Sequence, residues 1–340
     1  PYTTLFRSRG RRRKLFRQFQ VWLWQEKGIS LLYLLREKPA DPERLAYWLV
    51  QYGGALYQAG KAYGIYAETI NSVAAERPQV RKQLVAAWDF AYSWVSEEPF
   101  SHHPALPASI LLAMMAVSIL WGWLTEAAIF GLMWAGILRV GEVLQASRED
   151  LVLPRDSAPG VRYALLKIKE PKTRGKHARH QAARVDPTDI VELLDLAFAK
   201  ADPKAKLWPL SGSTLRKRFG DLMRVLKLPE GSMGRLKPFD LASLRPGGAS
   251  HLLNSTEDSE VVRRRGRWAT IKTMEIYLQE VLYVTYVERL PQQAKEMIRV
   301  AAAGFPDLLQ KAQHFVECGI PCSAWYALLK GRRERVAKDG

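Results

Sequence analysis

Between residues 18 and 95 apolar side chains return at three- and four-residue intervals, the period of one face of an α-helix, and the stretch predicts a helical bundle. Asp41-Pro42-Glu43 marks a helix start, because the aspartate can accept from free N–H groups and proline already holds a first-turn φ. Aromatic residues are dense here (Trp22, Trp24, Tyr47, Trp48, Tyr63, Tyr66, Trp88, Tyr92, Trp94) and are expected to fill the bundle core rather than stack on bases. The pattern stops at 97–107 (EEPFSHHPALP), where three prolines and no apolar period predict an interdomain linker. His102 and His103 lie inside it and read as solvated linker residues, since adjacent side chains on an extended segment point apart.

Residues 108–138 form the most apolar run, and a window of it approaches the length of a membrane span. Thr125 and Glu126 interrupt it, and Gly122, Gly131 and Gly136 punctuate it. A glutamate in mid-bilayer costs about 2–3 kcal/mol, so two consecutive buried helices are expected, without membrane association. After Glu142, short apolar or alternating runs at 151–153, 163–168 and 182–185 predict a small antiparallel sheet. Helices resume at Asp186-Pro187, again a cap and a first-turn proline, with others near 213–226, 241–253 and 271–281. The expected class is mainly α with a small antiparallel β-sheet (α+β). The expected organisation is a disordered basic tail over 1–17, a helical domain over 18–96, the linker over 97–107, a second domain over 108–290 and a helical extension over 291–340.

Composition narrows the partners. A chain of 340 residues with 48% apolar content can bury two cores. Lys and Arg outnumber Asp and Glu by 51 to 34, a formal charge of +17 that calls for an anionic partner, nucleic acid before a membrane surface. Residues 1–8 (PYTTLFRS) read as a translated sequencing adapter, so the true N-terminus is expected to be missing. Without the basic residues up to Arg17 the balance stays basic. Cys318 and Cys322 are the two cysteines, too few for a disulfide scaffold and suited to a reducing intracellular compartment, the nucleus if the source is eukaryotic. Only His314 stands near them in sequence, so no metal site is expected.

One set of residues has the chemistry to cut a phosphodiester. Attack on phosphorus concentrates negative charge on the two non-bridging oxygens, which planar, permanently charged guanidinium groups hold best. A tyrosine phenol can attack if those cations favour the phenolate, and a lysine can protonate the departing oxygen. In order, the chain offers Arg139-x-x-Glu142, Lys172 in a Lys-Thr-Arg-Gly turn, Arg245, Trp268 and Tyr277. Each alone is ordinary: an i,i+3 pair, a core tryptophan, a packed tyrosine. Lys167, Lys169 and Lys176 share the hairpin with Lys172.

Together they carry a resemblance. GILRVGEVLQASREDLVL resembles the first arginine motif of the tyrosine recombinase (phage integrase) family, PFDLASLRPGGASHLL its second, and RGRWATIKTMEIY its histidine-or-tryptophan plus tyrosine motif. The intervals fit too, 23 residues from Arg245 to Trp268 and nine from Trp268 to Tyr277. The resemblance covers roughly residues 85 to 290, with a weaker likeness upstream to the family's DNA-clamping helical domain. It implies that Arg139 and Arg245 hold the scissile phosphate, that Glu142 orients them, and that Lys172 protonates the leaving 5′ oxygen. Trp268 would donate its indole N–H to a non-bridging oxygen, and Tyr277 would attack to give a 3′-phosphotyrosine bond. No cofactor is implied. The partners implied are double-stranded DNA, with Arg174, Lys176, Arg264, Arg265 and Arg267 on its backbone, and further copies of the chain assembled on it.

The pattern also departs from the family. Where the second arginine motif usually reads His-x-x-Arg this chain has Ala242, the residue after Arg245 is Pro246, and the glycine expected before Trp268 is Arg267. His251 fits a position where the family often has histidine and is expected to be structural. These departures give a rival expectation, a DNA-binding descendant without chemistry.

Overall fold

The computed structural model describes residues 2–36, 41–98, 102–169, 181–231 and 237–336. The chain forms two compact units, Pro1–Phe100 and Ser101–Gly340.

The first unit holds α1 (Tyr2–Lys27), α2 (Leu31–Arg36), α3 (Pro42–Gln58), α4 (Tyr63–Glu76) and α5 (Val85–Glu97). Their apolar stripes close on one core that includes Phe19, Leu23, Leu49, Tyr66, Ile70 and Trp94. The predicted start of α3 is present: Asp41 accepts from the Arg44 N–H at 2.9 Å, satisfying one of the donors every helix start leaves free. Tyr66 is fully buried between the rings of Phe90 and Trp94, and its hydroxyl donates to the Ala87 carbonyl at 3.1 Å. Not every aromatic is core, since Trp24, Tyr47 and Tyr92 are exposed. Of the tail expected over 1–17, Tyr2 onward lies in α1. Leu15, Phe19 and Leu23, four residues apart, are all buried, α1 packs on α4, and Arg12 donates to Glu68 at 3.1 Å.

The second unit holds α6 (Ala108–Leu120), α7 (Leu124–Ala135), α8 (Val140–Gln145), strands β1 (Leu151–Val152), β2 (Ala164–Ile168) and β3 (Gln181–Val185), then α9 (Thr188–Phe198) and α10 (Gly212–Val225). There follow α11 (Leu244–Thr256), α12 (Ser259–Gly266), α13 (Ile271–Glu275), α14 (Glu280–Thr285), α15 (Gln292–Ala303), α16 (Phe305–Glu317) and α17 (Cys322–Val336). The run over 108–138 is indeed two helices. They occupy the centre of the core, α7 packing on α9 and α11 and α6 on α15 and α16, which is why they are apolar on all sides. Gly122 separates them at φ +71°, where a Cβ would lie 2.0 Å from the Cys322 carbonyl oxygen. Glu126 is buried and paired with Arg218, whose guanidinium lies 4.8 Å from the Trp123 ring centroid. That pairing meets the cost of taking a carboxylate out of water. Among the described residues no helix is long and apolar enough to cross a membrane.

The three strands form one antiparallel sheet in chain order, with Leu151 opposite Leu166 and Ala164 opposite Val185. Ala164, Leu166, Ile168, Ala183 and Val185 face the core while Lys167 and Arg184 face out, so the period-two pattern fixes the register. The molecule is thus mainly α with a small antiparallel sheet, as expected. Two local expectations differ. Asp186 does not cap α9, because its carboxylate is taken by Arg184 and Arg265, each at 2.7 Å. The helix expected over 271–281 is broken between Glu275 and Glu280. Gln279 is pulled out of helical geometry by three tertiary hydrogen bonds, described below.

Candidate active site

The site begins with a strained turn. After α7 the chain reverses through Gly136 and Ile137, and Ile137 takes φ +49°, a left-handed conformation that a β-branched residue adopts at a cost of about 1–3 kcal/mol. Its side chain is buried with Ala249, Val262, Trp268 and Met274. Its carbonyl is aimed at two guanidinium groups, accepting from Arg245 Nη1 at 2.8 Å and Arg267 Nη2 at 3.2 Å. Two residues on, Arg139 is the N-cap of α8.

Arg245 reaches the same place from the first turn of α11, where Pro246 loses nothing by lacking an N–H. α11 lies close on the end of α7. A Cβ at Gly248 would stand 1.9 Å from the Trp134 carbonyl oxygen, so only glycine allows the approach. Arg245 is 4% exposed, and its Nη2 donates to the Gly266 carbonyl at 2.7 Å. Burial, then the like charges of Arg139 and Arg267, lower its hold on its proton, yet a guanidinium remains charged at neutral pH.

Glu142 sits among these cations. Its carboxylate accepts from the Arg139 backbone N–H at 2.9 Å, from Arg139 Nη1 at 2.8 Å and from Arg267 Nη2 at 2.9 Å, with Arg245 Nη1 at 4.0 Å. Burial would raise its pKa, but the Arg267 charge, the Arg139 N–H and the Arg245 and Arg139 charges outweigh it and hold it below the ordinary carboxylate value. Glu142 therefore fixes Arg139 and the backbone turn.

Arg267 occupies a different place from the one expected. It caps the end of α12 at φ +58°, a conformation glycine adopts freely, which explains why a glycine suits this position. Its side chain is 6% exposed and spent on Glu142 and on the Gly136 and Ile137 carbonyls, so it builds the site rather than facing a duplex. Arg265 is paired with Asp186 at 2.7 Å. Arg264 is exposed, sharing Glu260 with Arg263.

Trp268 backs the site. It is buried, its ring lies 4.7 Å from the Arg245 guanidinium and 5.1 Å from the Tyr277 ring, and Gly266 leaves the space it fills. Its indole N–H is buried with no hydrogen-bond partner among the described residues, and it does not line the cavity in front of Arg245. In this structure the indole supports Arg245 and Tyr277 from behind.

Tyr277 follows α13 in a turn rather than on a helix. Gln279 holds that turn. Its N–H donates to Ser250 Oγ on α11 at 3.1 Å, its Nε2 to the His103 carbonyl at 2.9 Å, and its Oε1 accepts from the Ala105 N–H at 3.0 Å. The result is a cavity of about 420 Å³ lined by Arg139, Arg245, Tyr277, Ala242, Gln279 and the two histidines His102 and His103, among others. Among the described residues the Tyr277 hydroxyl has no hydrogen-bond partner. Tyr283 and Tyr286 are less available: burial raises the pKa of both, that of Tyr286 to about 12. The Tyr283 hydroxyl is also held by the Ala108 N–H at 3.3 Å and His251 Nδ1 at 2.9 Å. His251 is thus structural, wedged against Trp134.

The structure therefore gathers Arg139, Glu142, Arg245, Trp268 and Tyr277, five residues spread over 139 of the 340 residues. Lys172, Arg174 and Lys176 lie outside the described residues. Lys169 is bound to Ser147, Glu149 and Asp150, each at 2.9 Å. Lys167 is exposed on β2. Sequence reasoning missed His103 and Asp240. His103 is solvent-exposed, as expected, but it is also tied down: its Nδ1 lies 3.1 Å from Asp240 Oδ1 and its main chain is bound to Gln279. A larger cavity, about 1030 Å³, lies elsewhere among α6, α15 and α17 and brings no tyrosine together with arginines. Among the described residues no three metal-ligating side chains cluster.

No family model and no curated protein matches the chain. Solved structures similar to it include the XerH site-specific recombinase bound to its difH substrate, at 14% identity and TM-score 0.42, covering 78% of this chain and 81% of that one. A lambda integrase dimer bound to a COC′ core site is similar at 12% identity and TM-score 0.46, over 79% of this chain and 77% of that one. The Tn1549 transposon integrase in complex with transposon right-end DNA is similar at 11% identity and TM-score 0.47, over 84% of this chain and 99% of that one.

Proposed function

We propose that this chain cleaves and rejoins double-stranded DNA through Tyr277, by the chemistry of the tyrosine recombinases its motifs resemble. The observation that carries this reading is that Arg139, Arg245 and Tyr277, from three separate segments, line one cavity. Two guanidinium groups facing a cavity are suited to a phosphodiester, whose charge grows on the non-bridging oxygens as the phenol attacks. The Tyr277 oxygen bonds to phosphorus, the P–O5′ bond breaks, and the 3′-phosphotyrosine conserves the bond energy for rejoining. Metal or nucleotide cofactors have no part in this scheme. The resemblance assigns protonation of the 5′ oxygen to Lys172. Both units are proposed to contact the duplex, with exposed Arg264 on its backbone, and several copies of the chain to assemble on paired sites, as strand exchange between two duplexes requires.

Ala242 favours a second reading, a DNA-binding protein without chemistry, because losing a proton-transfer partner typically slows such a step by about 10²–10⁴. One experiment separates the two. A pool of nicked suicide duplexes of random sequence is incubated with the protein and scored for denaturant-stable protein–DNA adducts. The first reading expects adducts that disappear in Tyr277→Phe. The second expects salt-sensitive duplex binding and no adduct.

A further inference from the structure

We propose that His103 is the acid–base residue of the strand-transfer centre, entering from the segment before α6 to take the place that Ala242 leaves empty; this rests on the strand-transfer reading above. Ala242 lies in the tight turn Leu241–Ser243 and lines the cavity, so a histidine there would have its ring among Arg139, Arg245 and Tyr277. The Asp240 carboxylate oxygen that accepts from the Ala242 N–H at 2.8 Å is also 3.1 Å from His103 Nδ1. One carboxylate therefore ties His103 to the backbone of the very residue that lacks the ring. With Nδ1 on Asp240, the nitrogen left for chemistry is Nε2. A carboxylate fixes an imidazole's orientation in this way at many sites of proton transfer.

The chain around His103 is held firmly for a segment whose sequence reads as a linker. Gln279 Nε2 donates to the His103 carbonyl at 2.9 Å and its Oε1 accepts from Ala105 N–H at 3.0 Å. The Leu106 N–H donates to the Ser243 carbonyl at 3.2 Å, and the Leu106 carbonyl accepts from Trp134 Nε1 at 3.0 Å. The same Gln279 that fixes the Tyr277 turn thus fixes His103, so nucleophile and imidazole are registered on one side chain. The His103 side chain is 47% exposed, open to a phosphate entering the cavity. In the forward step the phenol proton of Tyr277 passes to His103 Nε2 as the oxygen–phosphorus bond forms, and the leaving 5′ oxygen takes its proton from the general acid. Rejoining reverses both transfers.

The test uses the same pool of nicked duplexes with the full chain and reads the rate of adduct formation. His103→Ala is expected to slow it by about 10² or more, with melting temperature and duplex affinity unchanged and His314→Ala, on α16 away from the cavity, near the parent rate. His103→Gln, which can keep the hydrogen bond to Asp240, is expected to be equally slow. Ala242→His in the His103→Ala background is expected to recover at least about tenfold, and so is free imidazole added to that variant. A parent-like rate in His103→Ala overturns the inference and leaves the strand-transfer reading standing. So does a loss that neither Ala242→His nor imidazole repairs, since that is a structural effect. No adduct from the parent protein overturns the strand-transfer reading and this inference with it.

Discussion

Glu142 and Arg267 lie 2.9 Å apart with each side chain 6% exposed, and between them they hold the turn that presents Arg139 and Arg245. Breaking a buried ion pair by removing one partner leaves an uncompensated charge and costs about 3–5 kcal/mol. Glu142→Gln and Arg267→Ala are both expected to lose stability on this scale in urea unfolding. Arg264→Ala, at an exposed side chain, is expected to leave unfolding alone and to lower duplex affinity and its salt slope. A reversed assignment, with Arg267→Ala stable and defective only in DNA affinity, would contradict the site as described.

The same pair gives the protein an acid-sensitive component. The folded pKa of Glu142 is depressed, so its contribution is fully present above the unfolded carboxylate value and is lost as pH falls through the lower folded value. Acid unfolding of the parent is expected to be steeper below about pH 4.5 than that of Glu142→Gln. Identical profiles would count against a charged Glu142.

His251 contributes in a second window. Burial lowers its pKa, so its stabilising contribution is present above the unfolded value near 6.5 and lost as pH falls through the lower folded one. Replacement by Gln is expected to flatten the stability profile between about pH 7 and 5. Tyr283→Phe, which removes the hydroxyl shared by His251 and the Ala108 N–H, is expected to cost about 1–2 kcal/mol.

Gln279 is the latch of the site. Gln279→Ala is expected to speed hydrogen exchange at the Ala105 amide and to slow adduct formation at least about tenfold, because it unties the His103–Ala105 segment from the Tyr277 turn while the backbone bond to Ser250 remains. Unchanged exchange at Ala105 would show that the segment is held by other contacts.

Much of the fold could be read from pattern, because periodicity is written locally. The all-round apolar run gave two buried helices, Asp41-Pro42 the start of α3, and the alternation at 163–168 and 182–185 a hairpin. That Arg139, Glu142, Arg245, Trp268 and Tyr277 belong together was legible as well, because each stands in a short motif at a fixed interval. What could not be read depends on contacts between distant segments. Nothing near Ile137 signals a left-handed turn, since the strain is sustained by two arginines more than a hundred residues away. Nor does EEPFSHHPALP signal a seat on Asp240, and its prolines argue for a linker until Gln279 and Ser243 are seen to bind it. Arg267 was misplaced for a related reason: a run of arginines reads as a charged surface, and only Glu142 across the site turns one of them inward.

The central claim is that Tyr277 becomes covalently joined to DNA, and the most direct measurement is peptide mapping of the trapped adduct. Protein recovered with the suicide duplexes is digested with nuclease and protease, and the residue carrying the nucleotide remnant is located by mass spectrometry. The account predicts a 3′-phosphonucleotide on Tyr277 and on no other residue. A remnant on Tyr283, Tyr286 or any serine, or duplex binding at full affinity with no remnant at all, would contradict it.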